Sequence, residues 1–204
     1  MEEKYKIESG EDKAWGELAK ADPGDVAKRS LAVYDAGSGT YTLTVFGEDY
    51  RIDPGARRIE NMSNPDRKYE YFLNLSIPIY LVQAREVPPS GELVKELKGG
   101  EFFFRGSHTL PLDAVATKYA RDKALFADAC KSLGGVSLKM GDAAFTFGVF
   151  PRVAMTLVLW MEDEEFPARA SLLFDSNAGS HMALDVVWAM ALLACQRMLG
   201  YNRD

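Results

Sequence analysis

The chain has 204 residues, of which 47% are hydrophobic and 11% aromatic, and this is enough apolar material to bury the core of one globular domain spanning residues 1–204. Its 30 acidic residues outnumber 24 basic ones, and the basic residues are dispersed. We therefore expect no nucleic-acid partner, because phosphate binding requires concentrated Lys and Arg.

Compartment and redox chemistry follow from what the sequence contains. Segment 1–15 is charged and lacks the apolar stretch of a signal peptide, and no segment reaches the ~18 uncharged apolar residues of a spanning helix. Cys130 and Cys195 lack the paired spacing of a zinc site or an iron–sulfur cluster. We expect a cytoplasmic protein without membrane contact, with two buried thiols in a reducing compartment.

The first quarter of the chain predicts two short helices followed by strands. Trp15 and Leu18 show helical spacing, and Asp22-Pro23 supplies an N-cap and a first-turn proline for the second helix. Residues 31–53 predict two or three strands joined by Gly-rich turns. The loop at residues 37–39 lacks the lysine and following helix of a phosphate-binding loop, so we interpret it as a hairpin turn.

The middle of the chain predicts further helices. One extends from residue 66 to about Arg85, with Pro78 expected to kink or split it. The aromatic run Phe102–Phe104 follows a break at two glycines. Pro111 then begins one helix or two in succession, which end near Gly134.

The last third predicts a four-stranded antiparallel meander with turns near residues 140–142, 148–151 and 161–167. Segment 152–160 is apolar on both faces, so we predict a central strand covered on both sides. A final amphipathic helix extends from about His181 to Leu199. The predicted fold class is therefore α+β, a mostly antiparallel sheet whose C-terminal meander packs against several helices.

The meander assigns charged residues to opposite ends of the sheet, because strands reverse direction at each turn. The acidic group consists of Asp142, Asp163, Glu164 and Glu165. The opposite group consists of Arg152, Asp175 and His181. A strand of about eight residues at ~3.3 Å each separates the groups by ~25 Å, so they are two candidate sites rather than one.

The acidic group offers hard oxygen ligands for a divalent cation, or paired carboxylates for acid–base chemistry. The alternative is a solvated hairpin tip, since the run lacks the ligand spacing of an EF-hand and has no histidine beside it. Trp160 and Phe166 flank the tip and are candidates to line a pocket for a flat ligand. Aromatic residues at strand positions more commonly belong to the core.

The opposite group has its own pair of interpretations. Strand register should bring Arg152 and Asp175 within a residue or two of each other, which predicts an ion pair that joins the sheet edge to the final helix. The functional alternative is an anion or carbonyl clamp, with His181 at a helix N-terminus as proton donor or acceptor. His108, just before a helix, is interpreted as a cap or a surface residue. Neither histidine lies in a known catalytic motif.

Several short segments in the C-terminal part of the chain together form a recognisable sequence pattern. They are Leu133-Gly134-Gly135, Gly141-Asp142, Phe150 to Val153, Leu159-Trp160, Asp163 to Pro167, and Leu173-Phe174-Asp175. In these segments the chain resembles the domain of unknown function 3786 family, known from anaerobes, and most of the remaining chain matches more loosely. The resemblance implies no assigned activity. It also implies that some relatives carry a four-cysteine iron–sulfur module resembling one of corrinoid methyl-transfer proteins; this chain has no such cysteines.

These observations favour a non-catalytic accessory or binding domain. Its partner is expected to be a small molecule or a redox or methyl-transfer protein, and the resemblance implies anaerobic one-carbon or corrinoid metabolism as the context. The first alternative is a metal-assisted hydrolase or transferase with Asp142, Asp163 and Glu165 as ligands. The second is a structural subunit of a larger complex. A divalent cation is the one cofactor that the residues offer, and the oligomeric state is left open.

Overall fold

The computed structural model describes residues 10–100 and 109–201. Within these ranges the chain forms six α-helices and nine β-strands in two antiparallel sheets, which confirms the predicted α+β class. The helices are α1 Gly10–Leu18, α2 Pro23–Ser30, α3 Tyr71–Gln83, α4 Leu112–Tyr119, α5 Lys123–Lys131 and α6 Leu184–Leu199. The strands are β1 Val33–Asp35, β2 Thr40–Val45, β3 Glu48–Asp53, β4 Arg58–Asn61, β5 Leu93–Val94, β6 Val136–Leu138, β7 Ala143–Phe150, β8 Val153–Trp160 and β9 Arg169–Asp175.

The N-terminal sheet follows chain order, β1-β2-β3-β4. Its first connection is the hairpin turn that the sequence predicts: the Asp35 carboxylate accepts hydrogen bonds from the Gly37 amide and the Ser38 hydroxyl. Gly39 completes the turn with a positive φ of 69°, which glycine adopts without steric cost. Along β2, buried Tyr41, Leu43 and Val45 alternate with polar residues, so one face of this sheet packs on the core.

The C-terminal sheet has the order β5-β9-β8-β7-β6 and contains the predicted meander as its last four strands. β5 adds an edge strand that pairs with β9. As predicted, β8 is central, and six of its eight residues are buried, including Thr156 and Val158 on the face opposite Met155 and Leu157. A strand buried on both faces reads as a continuous apolar run, which is how β8 appears in the sequence.

One cluster of buried apolar side chains contains residues from both sheets and all six helices. Tyr80 of α3 stacks on Phe150 with ring centroids 4.3 Å apart, and its hydroxyl donates to the Ser30 carbonyl at 2.9 Å. This side chain therefore connects α3, the C-terminal sheet and the end of α2. The domain count of one stays a prediction.

Two helices begin later than predicted, and a third region resolves an open alternative. α3 begins at Tyr71, after the extended residue Glu70, and continues through buried Pro78 without being split. Of the two alternatives after Pro111, the structure shows two helices in succession, α4 and α5. α6 begins at Leu184 rather than His181, because a short 3-10 helix at Ala178–Ser180 and the extended residue Ala183 precede it.

Two predictions from the sequence cannot be compared with the fold, and a third concerns the membrane. The aromatic run Phe102–Phe104 and His108 fall outside the described residues. Among the helices of residues 10–100 and 109–201, none combines the length and the apolar character that crossing a membrane requires.

Candidate functional site

A cleft of about 550 Å³ lies at the acidic end of the C-terminal sheet. It brings together Asp142 and Asp163, which the meander places at one end, and the two aromatic residues predicted to flank them, Trp160 and Phe166. Asp113 of α4 also lines the cleft, and no sequence pattern indicated its presence there. The acidic end is thus a partly enclosed surface with carboxylate and aromatic walls.

Gly141 positions the wall of this cleft. Its φ is +54°, and a Cβ there would lie 2.8 Å from the Leu159 carbonyl oxygen and 3.4 Å from the Trp160 ring. This absence of a side chain lets the turn before β7 lie directly on the end of β8. The next residue secures the contact, since the Asp142 amide donates to Leu159 O at 3.0 Å and its carboxylate accepts from Met161 N at 2.8 Å.

Asp163 forms the tight turn between β8 and β9. One carboxylate oxygen accepts the amides of Glu165 and Phe166 at 2.8 and 2.7 Å, and its own amide donates to the Phe166 carbonyl at 3.0 Å. This side-chain capping of the turn is a common role for aspartate. It leaves Phe166 with 66% of its surface exposed at the mouth of the cleft.

The four carboxylates of the acidic group differ in what they contact, and their role as metal ligands stays a prediction. Within residues 10–100 and 109–201 there is no group of three or more His, Cys, Asp or Glu side chains placed to hold a metal ion. Asp142 and Asp163 each use one oxygen on backbone amides, and Glu164 and Glu165 are exposed without lining the cleft. The interpretation as a turn is the one that the geometry favours.

The cleft carries an excess of negative charge. Arg169 lies opposite Trp160 in the β8–β9 ladder, and its guanidinium carbon is 4.3 Å from the Trp160 ring centroid, a cation–π distance. Among described residues, no donor bonds to the Asp113 carboxylate or to the second oxygens of Asp142 and Asp163. Three carboxylates and one guanidinium leave two uncompensated negative charges beside an aromatic surface.

At the opposite end of the sheet, Arg152 and Asp175 do not form the predicted ion pair. The register is as predicted: Met155 pairs with Phe174, so Asp175 lies two positions along from Arg152. Arg152 instead donates from Nε to the Arg29 carbonyl at 2.6 Å and from Nη2 to the Lys28 carbonyl at 3.3 Å. These are orphan carbonyls at the C-terminus of α2, which a guanidinium satisfies well.

Asp175 stabilises the loop before β5. Its two oxygens accept four hydrogen bonds, from the Ser90 amide and hydroxyl and from the amides of Gly91 and Asn177. Burial opposes ionisation, but these donors outweigh it and hold the pKa of Asp175 below its usual value. Alternation predicted the strand position, whereas the partner comes from a loop 85 residues away.

His181 is completely buried, with 0% of its surface exposed. Its Nδ1 accepts the Arg85 amide proton at 3.3 Å, and its Nε2 has no hydrogen-bond partner among the described residues. Burial lowers the pKa of His181, and the nearby Arg152 lowers it further, against an opposing effect of Asp175. The imidazole is therefore neutral near pH 7, with its proton on Nε2.

Sequence reasoning missed a buried ionic network centred on Arg197 of α6, whose side chain is 6% exposed. Its guanidinium bonds both oxygens of Glu70, contacts Glu48 at 3.4 Å and the Tyr50 hydroxyl at 3.2 Å. Arg67 bonds the other oxygen of Glu48. Burial raises the pKa of Tyr50 to about 12, so the phenol stays neutral and donates to Glu48.

This network is charge-balanced and connects segments that lie far apart in the chain. The only sequence signal was Arg197 itself, a charged residue in an otherwise apolar part of the final helix. Asn61 completes the set by donating to both the Tyr50 hydroxyl and Glu48. Because most of its polar groups bond one another, we assign the network a structural role next to a cleft of about 480 Å³.

Fold and site together define an α+β protein with two antiparallel sheets and an aromatic, acidic cleft at one sheet end. The sequence model described as Domain of unknown function (DUF3786) matches residues 22–197. The chain belongs to this family, as its C-terminal segments indicated. No curated protein and no solved structure matches the chain.

Proposed function

We propose that this chain is a non-catalytic binding domain whose cleft at the acidic end takes a cationic, partly apolar group. The observation that carries the proposal is the 550 Å³ cleft in which Trp160 and Phe166 adjoin the carboxylates of Asp113, Asp142 and Asp163. A volume of this size suits a small ligand or one side chain of a partner protein.

Aromatic and acidic walls act together on a cation. The face of an indole ring attracts ammonium and guanidinium groups, and Trp160 already interacts with Arg169 in this way. Carboxylate oxygens without protein donors add direct ion pairing. Exposed Phe166 supplies apolar contact area at the mouth, in the manner of aromatic anchors at interfaces.

The proposal assigns no catalytic residue to the cleft. The carboxylates of Asp142 and Asp163 shape the two turns by accepting backbone amides, which accounts for their positions without any chemistry on a substrate. The metabolic context belongs to the same proposal: an accessory role in anaerobic one-carbon, corrinoid or redox metabolism rests on the family resemblance alone.

A ligand screen followed by fluorescence tests the cleft. Agmatine, spermidine and N-acetyl-arginine amide are the cationic probes, with corrinoids, folates, flavins and nucleotides as further classes. We expect a cationic probe to raise the melting temperature and to change Trp160 fluorescence, and Asp113→Asn to weaken binding by roughly tenfold, the effect of ~1.4 kcal/mol. Trp15→Phe and Trp188→Phe variants isolate the Trp160 signal.

Matched controls separate the cleft from general charge effects. Asp128→Asn removes an exposed carboxylate of α5 that does not line the cleft, and it should leave probe affinity unchanged. The proposal would be rejected if no ligand class raised the melting temperature, or if neither Asp113→Asn nor Trp160→Ala changed the affinity for the probe.

A structural role in a larger complex is the second candidate, and one observation favours it. β6 is an edge strand of three residues, all exposed, and Val136 has 72% of its surface exposed. An edge strand with apolar side chains is a template for pairing with another chain. Co-purification from the native cell, with mass spectrometry of bound proteins and small molecules, distinguishes a stable partner from a free ligand.

A further inference from the structure

A second recess, of about 360 Å³, lies just before α6 at the sheet end opposite the acidic cleft. It is lined by Gln83, the last residue of α3, by Arg85 just after this helix, and by residues 179–183 before α6. His181 is among the lining residues although it is completely buried. The recess therefore joins the buried histidine to an exposed arginine.

The hydrogen bonding of His181 determines what it offers to the recess. Because Nδ1 accepts the amide proton of Arg85, the proton of the neutral ring is on Nε2, which makes Nε2 a donor. Among described residues this donor has no acceptor. A buried donor without a partner is uncommon in folded proteins and calls for a missing acceptor such as an ion.

The surrounding charges favour an acceptor that is negative. Arg85 is exposed and forms no ion pair with a carboxylate in the described part of the chain, and Arg152 also acts on the His181 ring. Asp175 is the opposing charge, but its oxygens are already engaged by four donors. Asp185, in the first turn of α6, bonds the Val186 amide.

The N-terminus of α6 adds to this preference. α6 has 16 residues, and its N-cap residue, Ala183, has no side chain that could accept a hydrogen bond from the first turn. Asp185 accepts the Val186 amide, so the amides without an acceptor among the described residues are those of Leu184 and Asp185; these amides and the helix dipole favour an anion in front of the helix. Ala183 lines the recess together with His181 and Arg85, so the N-terminus of α6 lies beside both of these residues.

We propose that this recess binds an oxyanion, the phosphate or carboxylate group of a small ligand, with the Nε2–H of His181 and the guanidinium of Arg85 as donors. Solvent does not reach Nε2 directly, so exposed Arg85 and Gly179 form the rim that shifts to admit the anion. The site is independent of the cation-binding cleft, which lies at the other end of the sheet.

Imidazole nitrogen NMR of the full chain tests the site, since the sequence contains only two histidines. Inorganic phosphate and acetate are titrated separately at pH 7, against sodium chloride at matched ionic strength. We expect a saturable shift of the His181 Nε2 resonance with at least one of the two anions and none with chloride. Phosphate alone or acetate alone identifies the preferred group, and the His181→Asn variant assigns the resonance.

Arg85→Gln is the decisive variant because Arg85 is exposed and its backbone bond to His181 is retained. We expect it to weaken the anion affinity by at least tenfold. Arg121→Gln, which removes an exposed arginine near the acidic end, should leave the affinity unchanged. Equal shifts with chloride, no shift with either anion, or an Arg85→Gln affinity equal to that of the parent would overturn the proposal.

Discussion

At the scale of single residues, His181 links burial to a measurable pH dependence. Its ring is fully buried, and desolvation together with Arg152 lowers its pKa below the ordinary value of about 6.5. In the unfolded chain the imidazole of His181 is therefore protonated near pH 6.5, whereas in the folded chain it is protonated only at lower pH. Folding stability must fall as pH drops below about 6.5, because protonation favours the unfolded state.

We expect the free energy of unfolding to decrease as the pH falls below about 6.5, by at most ~1.4 kcal/mol per pH unit for this one proton, until the pKa of folded His181 is reached. Urea unfolding at several pH values measures the slope, and His181→Phe should flatten it. The loss that follows from protonating Asp175 begins at lower pH, near the pKa of about 4 of an unfolded aspartate, and continues down to its lowered pKa in the folded chain. A slope that is unchanged in His181→Phe would contradict this assignment.

Gly141 shows how one missing side chain shapes the cleft. An alanine there would place Cβ 2.8 Å from a backbone oxygen and from a Val158 methyl carbon, at a φ that L-residues avoid. We expect Gly141→Ala to destabilise the fold by about 2–4 kcal/mol and to change Trp160 fluorescence.

Gly16→Ala is the matched control for that substitution. Gly16 lies inside α1, and a Cβ there meets nothing within 4 Å. Alanine should stabilise the helix by roughly 0.5–1 kcal/mol. Thermal unfolding distinguishes the two variants, and similar effects of both would mean that Gly141 is not constrained by its contacts.

At the scale of elements, the Arg197 network shows how α6 is connected to β3 and to the start of α3. Glu48 begins β3, Glu70 precedes α3, and Arg197 lies in the last turn of α6. Burial opposes the ionisation of Glu48, and the neighbouring arginines Arg67 and Arg197 overcome this and keep its pKa below the usual value. Removing one cation leaves its partners charged and poorly solvated.

Arg197→Met should therefore destabilise the protein by about 3–5 kcal/mol, the typical cost of breaking a buried pair. Chemical denaturation measures the change, and combining Arg197→Met with Glu70→Gln should restore part of the loss. Arg121→Met, in an exposed pair with Glu162, should cost less than 1 kcal/mol. Equal losses in Arg197→Met and Arg121→Met would show that the network contributes no more than a surface pair.

At the scale of the whole molecule, the two cysteines report on opening of the core. Cys130 on α5 and Cys195 on α6 are both buried, and burial raises the pKa of each thiol to about 12. The reactive thiolate is scarce at neutral pH, and reagents reach it only after the structure opens.

We expect both thiols to resist a disulfide reagent in the native state and to react fully in denaturant. Single variants Cys130→Ala and Cys195→Ala, followed by labelling rates at increasing urea, compare the two helices. If the fold opens as one unit, both thiols approach the same rate as urea rises. Immediate labelling of either thiol without denaturant would contradict the burial that the structure shows.

Local patterning in the sequence determined the α+β class, the C-terminal meander, the central position of β8 and the separation of the acidic turn from the Arg152 end. Each of these depends on the alternation of apolar residues and on turn residues within a short segment. Such local patterns can be recognised without knowing which distant residues are in contact. The starts of α3 and α6 were predicted too early, because the extended backbone at Glu70 and Ala183 determines them and neither residue caps its helix with a side chain.

Only the tertiary structure decided which polar groups meet. Asp175 bonds a loop 85 residues earlier, Arg152 bonds carbonyls more than 120 residues away, and Arg197 bonds Glu70 across 127 residues. A charged residue that faces solvent cannot be told from one that bonds another residue by the sequence alone. Hydrophobic periodicity predicts which face of a helix or strand a residue lies on, but not which residues that face contacts. The sequence by itself therefore determined where the ends of the sheet lie, whereas packing decided that one end forms an aromatic, acidic cleft and the other leaves His181 without an acceptor.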